Sequence, residues 1–137
     1  MSPYLLAPLL GWALAQTVKY LVFVAKTKNP KDMSFFLQSG NMPSVHTAAV
    51  VALIMAIALE QGTDTPVFAL SLVFGIIIAY DAMQVRRAAG EQGLAVRQLL
   101  EKAGLTLKPY HALGHKPVEV LIGAAIGIIA AIISLSF

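Results

Sequence analysis

Three short groups of residues in this chain have the types and spacings that do chemistry. Pro43, Ser44, Val45 and His46 stand where a polar stretch enters an apolar one. His115 stands at another such junction, with Glu119 four residues on. Between these two groups lie Asp81, Arg86 and Arg87. A helix start offers free backbone N–H groups and the positive end of its dipole, so it holds anions. Imidazoles titrate near neutrality and serve as nucleophile, acid or base. A carboxylate at i+4 shares a helical face with the histidine, where it holds the ring and favours its cationic form. Lysine and arginine bind phosphoryl oxygens and stabilise the transition state of their transfer. Histidines, a serine and cations at apolar boundaries together point to phosphate chemistry on a lipid.

Each residue also has a plainer reading. Ser44 is equally a helix N-cap, and His46 alone is equally an interfacial histidine making a local hydrogen bond. Lys19 lies in an apolar run, seven residues before Lys26, which is about 10 Å of helix. It either snorkels to the surface or serves a site inside the membrane. Asp81 reads as a charge partner for Arg86 or Lys19. Arg86 and Arg87 read as anchors of topology or as phosphate ligands. His111 and His115 have the i, i+4 spacing of metal sites, with Glu119 and Asp81 as further ligands. Pro109 and Gly114 disfavour a regular helix there, so the expectation is a site with no metal and no cofactor. Gly123 and Gly127 form a small-xxx-small pair, a packing face that extends to self-association as a homo-oligomer.

The elements that must position these residues are set by composition. Of 137 residues, 58% are apolar and 12% charged, and mean hydropathy is +0.75. A soluble domain of this size carries about twice that charge fraction. The length allows one domain, residues 1–137. The chain has no cysteine, which excludes disulfides, thiolate catalysis and cysteine metal sites. The net charge of +3 is explained by basic loops at a membrane rather than by nucleic acid, so membrane lipids are the expected surroundings.

Four apolar segments are visible: about Leu5 to Ala25, Val45 to Leu59, Pro66 to Tyr80, and Val118 to Phe137. They are long and lack alternation, so they read as helices. A bilayer core needs about 20 helical residues, so the second and third segments are short and must gain length from flanking turns or cross a thin region. The first segment carries a cleavage-like Ala13-Leu14-Ala15, yet no cation precedes it and Lys19 follows within the same run, so it reads as a membrane helix. In the third loop, Leu94, Val96, Leu99, Leu100 and Ala103 alternate with charged residues, which predicts a short amphipathic surface helix ended by Gly104. The expected fold is an all-α polytopic membrane bundle of about four transmembrane helices plus that cytoplasmic amphipathic helix.

Nine of the ten cations fall in the first and third loops and none in the second. The positive-inside rule then puts loops one and three in the cytoplasm and both termini outside. Ser44, His46, Asp81, Arg86, Arg87, His115 and Glu119 are thereby gathered at one membrane face.

With these residues in view, the chain resembles the type 2 phosphatidic acid phosphatase (PAP2) superfamily, and most closely its small divergent branch. Pro43-Ser44-Val45-His46 is similar to the motif P-S-G-H, with valine in the glycine position. His115 to Val120 is similar to the end of the motif S-R-x5-H-x3-D, with Glu119 in the aspartate position. Leu121, Gly123 and Gly127 continue that likeness. Tyr80-Asp81-Ala82 and Val85-Arg86-Arg87 resemble the divergent branch. Lys19 and Lys26 resemble K-x6-R-P, with lysine for arginine and no proline. The resemblance implies His115 as a nucleophile forming a phosphohistidine, Glu119 as its orienting group, and His46 as acid and then base. It implies Ser44, Lys19, Lys26 and one of Arg86 or Arg87 as phosphate ligands. Pro109 occupies the place of the motif arginine six residues before the histidine, so Arg86 or Arg87 would reach across an inserted loop.

The expected activity is hydrolysis of a lipid phosphate monoester or diphosphate, of phosphatidate, phosphatidylglycerol phosphate or polyprenyl type. A competing class is a non-enzymatic membrane subunit or lipid-binding protein that kept the fold; Val45 and Pro109 favour it. A third is a transporter with Lys19 and Asp81 as a charge relay.

Overall fold

The computed structural model describes residues 2–31, 42–105 and 114–136. The described residues are helical, with no strand among them. The helices are α1 (Pro3–Thr27), α2 (Val45–Gln61), α3 (Pro66–Tyr80), α4 (Arg86–Lys102) and α5 (Pro117–Ser134).

Their ends follow local chemistry. Proline opens α1, α3 and α5, where a missing N–H costs nothing and φ is already helical. The Thr65 hydroxyl accepts the Phe68 N–H at 3.2 Å and caps α3. Gly104, at φ +74°, ends α4. There the Leu105 N–H bonds back to Leu100 and the Gly104 N–H to Glu101, the paired closure of a Schellman turn.

All four expected apolar segments are helices. The third differs from expectation at its C-terminal end. A π turn, Asp81–Val85, joins α3 to α4, and Pro66–Lys102 runs as one helix of 37 residues. The short third segment therefore gains its length from its own continuation. The surface helix expected over Leu94–Ala103 begins earlier, at Arg86, and is not separated from the membrane segment by a loop. Its exposed Val96 and Leu99 keep the amphipathic face. By length and composition α1, Pro66–Lys102 and α5 can each cross a membrane, while α2 is a shorter apolar helix of 17 residues, about 26 Å long.

Small residues build the bundle. The buried positions of α1 are Ala7, Gly11, Ala15, Lys19 and Phe23, an unbroken i+4 row. In α2, Ala48, Ala52 and Ala56 form a similar row; in α5, Gly123, Gly127 and Ala131 do so. Rows of this kind interlock as ridges and grooves. The Ala48 carbonyl sits at the shared contact, since a Cβ would lie 2.8 Å from it at Gly11 and 2.5 Å at Gly127. A Cβ at Gly123 would meet the Ser44 carbonyl. With lipid as apolar as leucine, close backbone approach and dispersion are what hold such helices together. The Gly123–Gly127 face, expected to serve helix packing, lies against Ser44 and α2 of the same chain.

α3 is attached more lightly. It buries only Ser71 and Gly75, and Leu70, Val73, Phe74, Ile76 and Ile77 are exposed. Such a surface suits a lipid surround.

Polarity is concentrated at one end. The C-terminal ends of α1 and α3 and the N-terminal ends of α2 and α5 meet there, tied by backbone bonds from Ser44 to Glu119 and from His115 to Ala82. Buried Lys19, Ser44, Thr47 and His115 belong to this end. Ala15, Val45 and Ala48, with Ile126 against them, form the apolar floor beside it.

Candidate active site

His115 is the centre of the polar end. It precedes α5 by two residues, is 8% exposed, and is fixed at both backbone and ring. Its N–H donates to the Ala82 carbonyl in the π turn at 2.9 Å. Its Nδ1 lies 3.0 Å from Glu119 Oε2. The same Oε2 accepts the Lys116 N–H at 3.1 Å, so Glu119 both satisfies the open start of α5 and holds the ring. In the neutral ring, a carboxylate at Nδ1 favours the proton on that nitrogen and makes Nε2 the lone-pair side.

Gly114 lets this segment approach. A Cβ there would fall 2.5 Å from the Arg87 nitrogen, so residue 114 lies directly against the backbone of α4. No sequence pattern points to Gly114, since its requirement comes from a neighbour 27 positions away.

His46 occupies the first turn of α2 and is exposed. Partial desolvation and the neighbouring Arg86, His115, Lys19 and Asp81 together set its electrostatic surroundings. One histidine is thus buried and held, the other open, and cations from α1 and α4 share their surroundings. The two arginines separate. The Arg86 Nε bonds Asp81 Oδ2 at 3.0 Å, both side chains being half-exposed, and Arg86 acts on His46. The Arg87 Nε bonds Glu91 Oε1 at 3.1 Å on the exposed face of α4.

Lys19 is 8% exposed and belongs to the inward row of α1. It therefore faces the bundle and does not snorkel. Lys26, two turns later, is exposed in the last turn of α1, and among the described residues no hydrogen bond or ion pair joins it to the cluster.

Ser44 departs from the N-cap expectation held for it. As the residue before α2 it makes no side-chain cap. Its hydroxyl lies 2.8 Å from the Thr47 hydroxyl and the residue is 0% exposed. It forms part of the buried wall of the polar end. Sequence reasoning missed Thr47, its buried partner; the i+3 spacing from Ser44 is the signal that could have found it. The i, i+4 partner of the metal-site alternative, His111, lies outside the described residues, as does Pro109. Among the described residues no three histidine or acidic side chains gather as a metal site.

The buried His115–Glu119 pair thus stands with His46, Arg86 and Lys19 at the same end of the bundle. Residues 1–130 match the family described as the Divergent PAP2 family. The chain belongs to this family. As a divergent PAP2 protein it is also 36% identical, over an alignment of 146 positions, to the uncharacterized membrane protein YuiD of Bacillus subtilis (strain 168). That alignment covers 94% of this chain and 91% of YuiD. No solved structure matches. The divergent PAP2 chain carries branched Val45 where the superfamily motif has glycine, and the fold accounts for it. Val45 is buried in the apolar floor with Ala15 and Ala48, so its side chain points into the bundle and away from the exposed His46.

Proposed function

We propose that this protein is a membrane lipid phosphatase that hydrolyses a phosphate monoester or diphosphate of a lipid through a phosphohistidine. The observation that carries this is the buried His115–Glu119 pair, 3.0 Å apart, at the same end of the bundle as His46, Arg86 and Lys19.

In the proposed reaction His115 Nε2 attacks phosphorus and the bond to the lipid oxygen breaks. His46, as imidazolium, gives its proton to that oxygen. The phosphorylated ring of His115 is cationic and keeps its Nδ1–H on Glu119, whose carboxylate stabilises it. Arg86 and Lys19 hold the equatorial oxygens, where charge accumulates. His46, now neutral, takes a proton from water as that water attacks phosphorus, and the P–N bond breaks to release phosphate. Every transfer in this sequence uses side chains of the chain itself. The lipid would arrive from the bilayer, with its chains against the apolar surface and its phosphate at the polar end.

Trapping tests the covalent step. Protein in detergent, given phosphatidate labelled with radioactive phosphorus and then denatured, should retain an alkali-stable, acid-labile label. His115→Ala should retain none. Labelled phosphate released without any protein-bound label would rule out the phosphohistidine.

The loop cations support placing the polar end in the cytoplasm. The chain has no cysteine, so single cysteines can report this. Thr63→Cys should react with an impermeant maleimide outside intact cells and Lys28→Cys only after lysis; the reverse pattern would invert the orientation.

A second reading, a non-enzymatic lipid-binding protein, draws on the closed Ser44–Thr47 hydroxyl pair. It requires phosphate binding without turnover.

A further inference from the structure

The π turn holds side chains in a relation that an α-helix does not offer. In an α-helix, neighbours on one face are three or four residues apart; in a π turn the backbone closes from i to i+5. Here the Arg86 N–H donates to the Asp81 carbonyl, and the side chains repeat that step, with Arg86 Nε on Asp81 Oδ2 at 3.0 Å. The same turn presents the Ala82 carbonyl to the His115 N–H at 2.9 Å. One extra residue per turn thus mounts both the histidine and the arginine.

The contact uses only one edge of the guanidinium. Arginine has five N–H donors in a rigid fork, and among the described residues its Nε alone is engaged by a side chain. The terminal amino groups remain available for an anion, and the charge of Arg86 acts on His46. A carboxylate that faced the terminal fork with both oxygens would instead compete with a phosphate for it.

We propose that Asp81 is a positioning residue: through the π turn it grips the Arg86 Nε and aims the terminal fork of that arginine at the phosphoryl oxygens beside His115. Asp81 acts only through Arg86 and does not touch the substrate. This rests on the phosphate site described above, but it concerns anion binding and not turnover, so the two can fail separately.

The test is a double-mutant cycle on the affinity of the full-length protein in detergent for inorganic phosphate, read by calorimetry or phosphorus NMR. Asp81→Ala should weaken binding about tenfold, the scale of one charge-assisted hydrogen bond. Asp81→Asn, which keeps an oxygen for the Nε–H and the same shape, should restore most of the loss. In an Arg86→Lys background, which has no Nε, Asp81→Ala should change binding by less than about twofold. A merely structural Asp81 would give the same loss in both backgrounds and would overturn the proposal. Tighter binding in Asp81→Ala would also overturn it, since it would make Asp81 a competitor. If Asp81→Ala does not fold, Asp81→Asn compared with Asp81→Glu decides: retained binding in the first and loss in the second supports positioning, and equal loss in both overturns it. Absence of phosphate binding by the unaltered protein would overturn both this proposal and the site. Binding without lipid hydrolysis would overturn the enzyme reading alone.

Discussion

Glu119 makes two bonds with one oxygen, and that double use explains why the start of α5 and the ring of His115 form a single unit. Its carboxylate caps the helix through Lys116 and holds His115 Nδ1. The i+4 spacing of His115 and Glu119 is legible in the sequence because it is local. The fate of the two arginines is not, since adjacent residues on a helix point about 100° apart and only the π turn decides which one meets the site. Arg86 faces Asp81 and acts on His46, whereas Arg87 forms an exposed i, i+4 pair with Glu91. Exposed pairs of that kind contribute about 0.3–0.5 kcal/mol. Arg86→Ala should therefore lower kcat/KM for a lipid phosphate at least about a hundredfold, the scale of a lost transition-state donor. Arg87→Ala should change it less than about threefold and leave stability within about 0.5 kcal/mol. Steady-state kinetics on the two variants check this, and equal losses would remove the distinction.

At the scale of elements, the helices are legible as apolar runs, and their ends as Pro3, Pro66, Pro117 and Gly104. Two features depend on contacts across the fold and have no local signal. One is the continuation of α3 into α4, because a π turn has no composition of its own. The other is which glycines serve packing between which helices. Gly123 lies against the Ser44 carbonyl, a backbone atom, while a Cβ at Gly75 would meet Ile54 Cδ1, the rotatable tip of a side chain. Rigid and yielding neighbours predict different outcomes for the same change. Gly123→Ala should destabilise the protein by about 1–3 kcal/mol as α5 is pushed off α2. Gly75→Ala should cost less than about 1 kcal/mol, since Ile54 can change rotamer. Thermal unfolding in detergent measures both, and Gly75→Ala proving the more damaging would contradict this picture of the bundle. Because Ser44 N–H also bonds the Glu119 carbonyl at 3.0 Å, Gly123→Ala should disturb the site as well as the fold.

At the scale of the whole molecule, the buried polar groups of the bundle converge on one end, and α3 presents a largely apolar surface. Charge counting over the loops gathers the same residues on one membrane face without any helix being placed. It does not order them within that face. His115 and Glu119 are inside, His46 is open, Ser44 is walled off with Thr47, and Lys26 is peripheral. The light attachment of α3, through Ser71 and Gly75, leaves a broad apolar face suited to contact with lipid. The claim that unites these features is that this end hydrolyses lipid phosphates with histidine as nucleophile. Phosphate release from a panel of phosphatidate, phosphatidylglycerol phosphate and polyprenyl phosphates, with chelator present, tests it most directly. The unaltered protein should release phosphate from at least one lipid, and His115→Ala and His46→Ala, shown to be folded, should each lose at least about a thousandfold of that rate. Release that persists in folded His115→Ala, or no release from any lipid by the folded unaltered protein, would contradict the claim.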